Sequence, residues 1–231
     1  ESTQLLLRDV VADGFTQKPI ALSVERVGGP PPARAPYSYE EYWTRAEGLV
    51  RKHVDDLLFV TENFVLKRPV NVFDEPKVQS GAMYSAAQAY SAGRFALRDD
   101  EAMVIDLTLG GAAYAVAPIT NVWGGIGDVF GRRAMMSTSI AQPNADGGYR
   151  FILSASDPGI ENWVDAGGQH TGIVFFRWIG LPAPSAGFAP PTLRIRIVRL
   201  AEVEITGSDR ITPAQRSAML ARRAEAHRRW Q

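Results

Sequence analysis

Apolar and polar residues alternate with a period of two in the second half of the chain, and this pattern constrains the fold most. Short alternating segments lie at residues 103–109, 114–120, 173–178 and 193–197, with glycine and proline between them. Alternation places successive side chains on opposite faces of a strand, and short strands about every ten residues are typical of a sandwich, not of a parallel α/β sheet. The sequence therefore predicts a mainly β, α+β fold, namely a β-sandwich of jelly-roll type with flanking helices.

Glycine and proline mark the turns between these strands. Gly110 and Gly111 predict a tight hairpin, and the Asn-Ala-Asp-Gly-Gly run at 144–148 predicts a second one. Pro118 has no N–H to donate to a sheet, so its strand is expected at an edge or a bulge.

Helical patterns flank the strands. Ser38 is a plausible N-cap for a helix whose apolar residues recur every three or four positions as far as Leu58, which predicts one buried face. Thr212 and Pro213 begin a C-terminal helix, and the alanine-rich residues 83–93 are expected to be helical.

These patterns divide the chain into four parts. Residues 1–37 form an N-terminal extension with a proline-rich linker, in which residues 20–26 are expected to form a short strand. Residues 38–93 form a helical segment packed on the core, residues 94–206 the β-sandwich domain, and residues 207–231 the C-terminal helix.

Composition excludes several classes of site and partner. The 231 residues include no cysteine, which excludes disulfides, thiolate metal sites and a cysteine nucleophile. Lysine plus arginine equals aspartate plus glutamate, 25 each, so no net field attracts nucleic acid or an anionic membrane. No apolar run approaches the roughly 18 residues of a membrane span. We expect a soluble, cytoplasmic protein, although the chain starts at Glu1, which leaves a periplasmic or secreted location open.

The most distinctive residues lie between Asp157 and Trp178. The sequence there contains Asp-Pro-Gly at 157–159, Asn-Trp-Val-Asp at 162–165, Gly168, His170, Gly172 and Phe-Phe-Arg-Trp at 175–178. This segment resembles the bacterial family catalogued as domain of unknown function 1214, and a looser similarity covers about residues 95–203. The resemblance implies a jelly-roll-related sandwich and assigns no activity.

Asp165, His170 and Arg177 are the candidate catalytic residues. A buried Arg177 would need an anionic partner, for which Asp165 is the first choice and Asp157 the second. Two interpretations are open. The structural one is a filled corner with a buried Arg–Asp pair against tryptophan, and the functional one places the three side chains at the rim of a pocket.

The candidate ligand-binding residues are Asn121, Trp123, Asp157, Asn162 and Trp163. Indole rings beside Asp and Asn in glycine-rich loops can stack on and hydrogen-bond to sugars, and Trp178 adds a third ring. We therefore expect binding or hydrolysis of a small polar, carbohydrate-like ligand.

No cofactor or metal is expected. The three histidines are far apart in the sequence, residues 124–127 lack the spacing of a nucleotide-binding loop, and no G-x-S-x-G elbow is present. A glycosidase-like pair could come from Asp157, Glu161 and Asp165, but sequence spacing does not give the separation of their carboxyl groups.

The alternative is a non-catalytic structural or assembly domain. The C-terminal helix has few apolar residues, its arginines crowd one end, and Trp230 lies at that end, so we expect it to pack on another subunit of a homo-oligomer or on another partner. Zero net charge argues against nucleic acid as the partner of these arginines. A pocket lined by Asp165, His170 and tryptophans would favour ligand binding, whereas a filled corner would favour assembly.

Overall fold

Two β-sheets pack face to face around the larger of two buried cores, which confirms the predicted mainly β sandwich with helices. The computed structural model describes residues 7, 9, 15–29, 37–79, 87–183, 189–204 and 209–229. The strands are Lys77–Val78 (β1), Gln88–Ala96 (β2), Glu101–Thr108 (β3), Tyr114–Thr120 (β4), Met135–Ser137 (β5), Tyr149–Ser154 (β6), Trp163–Asp165 (β7), Thr171–Ile179 (β8) and Thr192–Arg199 (β9). The finer assignment to the jelly-roll type stays a prediction.

The strand order separates neighbours in sequence. One sheet has the order β1-β2-β8-β4-β5, and the other has the order β7-β6-β3-β9. All pairs are antiparallel except β6–β7, which is parallel. The chain crosses from one sheet to the other between β7 and β8, so the segment from Asp157 to Trp178 belongs to both sheets.

The alternation of β8 explains which side chains fill the core. Val174, Phe176 and Trp178 point inwards and are fully buried, whereas the residues between them face the outside of the five-stranded sheet. Burying a large apolar side chain contributes about 1.5–3 kcal/mol to stability, so this strand is a major part of the core. The edge strand β9 follows the same rule, with exposed arginines between half-buried aliphatic residues.

The turns are mostly as predicted, but the position of Pro118 is not. Gly110 and Gly111 form the hairpin between β3 and β4, both with positive φ. The edge expectation for Pro118 is wrong, because β4 lies between β8 and β5. A bulge is absent as well: between the pairs Val116–Arg177 and Ile119–Val174 both strands advance by three residues. The missing N–H is tolerated because the pairing of β4 with β8 is interrupted at residues 117 and 118.

The helix that was predicted for residues 83–93 is wrong. The described part of this segment contains the first residues of β2, which extends the sandwich to residue 88 and moves its boundary from the predicted residue 94. Small residues are needed there for packing, since a Cβ on Gly93 would overlap the ring of Phe73. The predicted strand at 20–26 is wrong too, because these residues are exposed and have no strand pairing.

Helix α1, Tyr39–Val60, begins at the predicted N-cap. The Ser38 hydroxyl accepts from the Glu41 amide, and the Glu41 carboxylate accepts from the Ser38 amide. A π-helical turn, Thr61–Val65, follows. The expected buried face is wrong, because no residue of α1 is buried. Contrary to the prediction, this part of the segment 38–93 does not pack on the core.

Helix α2, Pro213–Arg228, also begins as predicted, with a capping box between Thr212 and Gln215. In the described part of the chain, no helix combines the length and apolar character that crossing a membrane requires.

Candidate functional site

Asp165 lies at the end of β7 with its side chain buried, and Arg132 is its ion-pair partner. Arg132 Nη1 donates to Asp165 Oδ2 at 3.0 Å, and the Gly167 amide donates to Oδ1 at 2.7 Å. The predicted pair between Asp165 and Arg177 is therefore wrong. The carboxylate thus joins the segment before β5, through Arg132, to the loop between β7 and β8, through Gly167.

Arg177 lies on the outer face of the five-stranded sheet, because its neighbours in β8, Phe176 and Trp178, point into the core. Its guanidinium lies over the ring of Phe175, 5.1 Å from the centroid. Its Nε is buried and has no hydrogen-bond partner. Neither Asp165 nor Asp157 approaches it, since both carboxylates bind other arginines.

His170 lies just before β8 and is 56% exposed at its side chain. Its Nδ1 is 3.2 Å from the Leu97 carbonyl oxygen, and its Nε2 is 3.6 Å from the Asp99 carboxylate. Residues 171 to 177 belong to one strand, which at 3.3 Å per residue separates His170 from Arg177 by about 20 Å. The three predicted catalytic residues therefore do not meet at one reacting atom.

Asp157 is bound by an arginine of helix α2. Arg216 Nε donates to Asp157 Oδ2 at 2.9 Å, and Arg216 Nη2 donates to Oδ1 at 3.1 Å. Arg216 is 5% exposed, also donates to the Ile160 carbonyl, and lies 5.0 Å from the centroid of the Trp163 ring. This bidentate pair uses both oxygens of Asp157, so the carboxylate has no free oxygen pair to present to a ligand.

Trp163 and Asn162 are structural in this corner. Trp163 is 7% exposed, and its Nε1 donates to the Ser154 hydroxyl at 3.0 Å. The Asn162 amide donates to the carbonyls of Gln142 and Arg150 and accepts from the Gln142 amide. These bonds hold the 142 loop against β6, so the polar atoms of both residues are used within the fold.

Asn121 and Trp123 form a separate turn beside β4. Asn121 Oδ1 accepts from the amides of Trp123 and Gly125, at 3.0 and 2.9 Å. Trp123 is 49% exposed, whereas Trp178 is fully buried and donates to the Thr108 carbonyl at 2.8 Å. The predicted group of sugar-stacking rings therefore does not form, because two of the three indoles belong to the packed interior.

Arg133 is a buried charge that the sequence analysis missed. It is 3% exposed, its Nη1 donates to the Glu161 carbonyl, and its Nε and Nη2 have no partner. Burial, together with the charges of Arg216 and Arg223, lowers the pKa of the Arg133 guanidinium to about 10. No local signal distinguishes Arg133 from its neighbour Arg132, since only the tertiary contacts bury one and expose the other.

Helix α2 packs on its own sandwich, contrary to the prediction that too few residues could hold it there. Besides Arg216, the Met219 sulfur lies 3.8 Å from Arg133 Nη1, and Arg223 Nε donates to the Val129 carbonyl at 3.4 Å. The guanidinium groups of Arg222 and Arg229 lie over the ring of Phe15, so these arginines also have contacts inside the chain. Trp230 lies outside the described residues.

The two carboxylates of the predicted corner are thus bound by arginines, and two clefts lie on the described surface. A cleft of about 550 Å³ lies over the four-stranded sheet, and Asn162 contributes to its wall. Another, of about 600 Å³, lies between residues 71–75 and the start of β9. Within the described ranges, no group of three or more metal-ligating side chains is arranged to hold a metal ion.

Helix α1 presents the most unusual surface of the molecule. Its exposed large apolar side chains are Tyr39, Tyr42, Trp43, Leu49, Val50, Val54, Leu58, Phe59 and Val60. At its C-terminal end, Thr61 is buried and its hydroxyl donates to the Val122 carbonyl at 3.4 Å. This contact joins the helix to the turn that contains Trp123.

Comparisons with known proteins give a fold relation and no activity. No protein-family model matches the sequence, and no curated protein matches it. Among solved structures, the chain is similar to an uncharacterised protein from Burkholderia cenocepacia, with 30% identity and a TM-score of 0.51 over 58% of this chain and 36% of that one. The VPA0106 protein from Vibrio parahaemolyticus is 11% identical, with a TM-score of 0.34 over 71% of this chain and 47% of that one. The chain thus spans less than half the length of either protein, and its resemblance to the domain of unknown function 1214 stays a prediction.

Proposed function

We propose that this chain is a non-catalytic assembly domain that binds another protein through the apolar face of α1. The observation that carries the proposal is a helix of 22 residues with no buried residue and with Tyr39, Trp43 and Val50 more than half exposed. A helix in water owes most of its stability to the packing of its apolar face, so a helix of this composition needs a covering partner.

The size of the apolar surface supports this role. If a large apolar side chain presents about 150–250 Å² when fully exposed, the face of α1 exposes on the order of 1,000 Å². The largest apolar patch of an ordinary monomer is about 300–600 Å², and larger patches are typical of interaction sites.

The predicted corner supports the non-catalytic half of the proposal. Asp157 and Asp165 are each held by an arginine, and Trp163 is packed beneath Arg216. His170 instead contacts the Leu97 carbonyl oxygen and the Asp99 carboxylate. A reaction that needs an acid and a base at one atom has no such pair among these residues.

Site-specific photo-crosslinking tests the proposal. A photo-reactive amino acid at Val50, on the apolar face, is compared with the same group at Thr44, which is exposed on the opposite face. In cells that produce the full chain, we expect a defined protein adduct from position 50 and little from position 44. Equal yields from both positions would mean that the apolar face has no partner, and the proposal would be wrong.

A small polar, carbohydrate-like ligand in the cleft over the four-stranded sheet is a second candidate. The observation in its favour is a volume of about 550 Å³ whose mixed wall includes the charged residues Asp146, Arg150, Glu161 and Glu204. Ligand pockets commonly have volumes of about 300–1,000 Å³, and mixed charges of this kind suit a ligand with several hydroxyl groups.

Thermal unfolding in the presence of mono- and disaccharides tests this second candidate. A ligand at a hundred times its Kd stabilises the folded state by about 2.7 kcal/mol, which we expect to raise Tm by about 5–10 °C. Glu204→Gln should abolish the shift, whereas Glu202→Gln, which is exposed outside the cleft, should preserve it. Unchanged Tm with every sugar would reject the candidate.

A further inference from the structure

We infer that the partner of α1 is α1 of a second copy of this chain, and that the two helices pair in antiparallel orientation. This inference rests on the proposed function, because it names the protein that covers the apolar face. The spacing, the chemistry and the attachment of α1 identify a second α1 as its partner.

The apolar face of α1 contains a seam with the spacing of a coiled coil. The seam is formed by Tyr39, Trp43, Ala46, Val50, His53, Leu57 and Val60. Successive members are four and three residues apart in strict alternation, which is the a/d pattern of a helix that packs against another helix. A lipid surface requires an apolar face but does not require this alternation.

The seam has one polar member and clearly polar surroundings. His53 lies near its middle, and a single polar residue at such a position is a common determinant of register and orientation. On the opposite face, Glu47 and Arg51 form an ion pair at 2.8 Å, and Lys52 pairs with Asp56. The helix therefore has one face for a partner and one for water.

A second copy supplies the matching surface. The other helix of the described chain, α2, has Arg216 as its one buried residue and lies on its own sandwich. A second α1 brings an identical seam, and a two-fold pairing of identical surfaces closes without leaving an exposed half. The apolar area of about 1,000 Å² exceeds the roughly 800 Å² per partner of a standard stable interface.

Side-chain volumes favour the antiparallel orientation. In an antiparallel pair centred between residues 51 and 52, Trp43 faces Val60, Ala46 faces Leu57, and Val50 faces His53. A large residue then meets a smaller one in each layer, as close packing requires. A parallel pair would place Ala46 against Ala46, which leaves a gap, and would place the two His53 imidazoles against each other in a single layer.

The attachment of α1 favours the same orientation. Thr61 binds the Val122 carbonyl, so the sandwich lies at the C-terminal end of the helix. A parallel pair would bring both sandwiches to one end. An antiparallel pair separates them by nearly the length of the helix, which is about 33 Å at 1.5 Å per residue.

The mass of the full chain in solution tests the pairing. Sedimentation equilibrium should give a dimer, and Val50→Asp should give a monomer because it buries a charge in the seam. Thr44→Asp is the matched control, since it adds the same charge to the exposed face, and it should remain dimeric. His53→Leu should tighten the dimer by at least tenfold, because it removes the polar residue from the seam. A monomeric wild-type chain, or equal masses for the two aspartate variants, would overturn the pairing.

Disulfide formation tests the orientation. Because the chain contains no cysteine, only the introduced cysteines can form disulfides. Chains with Ala46→Cys are mixed with chains with Leu57→Cys and oxidised, and we expect the mixed disulfide dimer to dominate. Each variant alone should stay largely uncrosslinked, because its two cysteines then lie eleven residues, or about three helical turns, apart along the axis. A strong disulfide from Ala46→Cys alone would mean a parallel pair and would overturn the antiparallel inference.

The photo-crosslinking at Val50 and the mass of the purified chain together distinguish this inference from the proposed function. If the photo-reactive group at Val50 captures a different protein while the purified chain is a monomer, the self-pairing is wrong and the assembly role stands. If position 50 captures nothing beyond the level of position 44 and the chain is a monomer, both are wrong.

Discussion

The ring of Trp163 lies between the end of β7 and helix α2, with the Arg216 guanidinium 5.0 Å from its centroid. Its Nε1 donates to Ser154, and its surface is almost completely buried. A ring in this position contributes through its buried area and through its hydrogen bond. Trp123 differs, because about half of its surface is in contact with water.

Trp163→Ala should therefore cost about 3–5 kcal/mol of unfolding free energy, from lost burial and from the cavity that remains. Trp123→Ala is the control and should cost much less, because its ring is half exposed. Urea denaturation of both variants measures the difference. If the two variants have the same midpoint, Trp163 does not stabilise the corner in the way its burial implies.

Arg133 and Arg216 are both buried, but their electrostatic situations are opposite. Arg216 has the Asp157 carboxylate and two carbonyls as partners. Arg133 has the Glu161 carbonyl, and two of its nitrogens are unpartnered. The lowered pKa of Arg133 means that the folded state binds its proton less tightly than the unfolded state does, so the charge of Arg133 opposes folding at neutral pH.

Replacement by methionine should separate the two arginines. Arg216→Met should cost about 1.5–3 kcal/mol, because it removes the charge-assisted hydrogen bonds to Asp157 and leaves the buried Ile160 carbonyl without its donor. Arg133→Met removes an uncompensated charge and should change the unfolding free energy by less than about 1 kcal/mol, or raise it. Chemical denaturation at neutral pH measures both values, and a large loss in Arg133→Met would contradict this assignment.

Strands β2, β8 and β4 approach each other so closely that one position requires glycine. Gly172 in β8 pairs with Phe95 in β2, and a Cβ on it would lie 2.6 Å from the Phe95 ring and closer still to the Thr120 carbonyl oxygen. The ring belongs to the core and the carbonyl to the backbone of β4, so neither can move away easily.

Gly172→Ala should therefore destabilise the sandwich by about 1–3 kcal/mol, as expected for overpacking. Gly127→Ala is the control, because the space around Gly127 is open and its φ is not positive. Thermal unfolding should show a lower Tm for the first variant and a nearly unchanged Tm for the second. Equal Tm values for the two variants would mean that β4 can move away from residue 172.

At the scale of the whole molecule, α2 contacts the loops of the sandwich, whereas the described part of the chain buries no residue of α1. Deleting residues 212–231 removes Arg216, Met219 and Arg223 and exposes Arg133 and Asp157. We expect the truncated chain to be less stable and to keep the oligomeric mass of the full chain in light scattering. A lower mass with an unchanged Tm would mean that α2 forms the contact between subunits, as the sequence analysis expected.

Local sequence patterns determined much of the fold. Strands β3, β4, β8 and β9 follow from period-two alternation, and both helices begin at predicted caps, because these signals depend on neighbouring residues alone. The alanine-rich start of β2 was misread because its small residues serve close packing against Phe73 and not helix propensity. The alternation of β8 also explains why Arg177 faces away from the core, because its neighbours Phe176 and Trp178 point into the core.

Only the tertiary structure decided which charges meet. Asp165 binds Arg132, 33 residues away, and Asp157 binds Arg216, 59 residues away, whereas Arg177 has no carboxylate partner. Such pairs depend on how sheets and helices pack, and a buried charge binds whichever opposite charge the packing brings near. The amphipathic pattern of α1 likewise determined that the helix has an apolar face, but not that the sandwich leaves this face uncovered. The sequence therefore specified the elements and their faces, and the packing decided which face became the core and which became a surface.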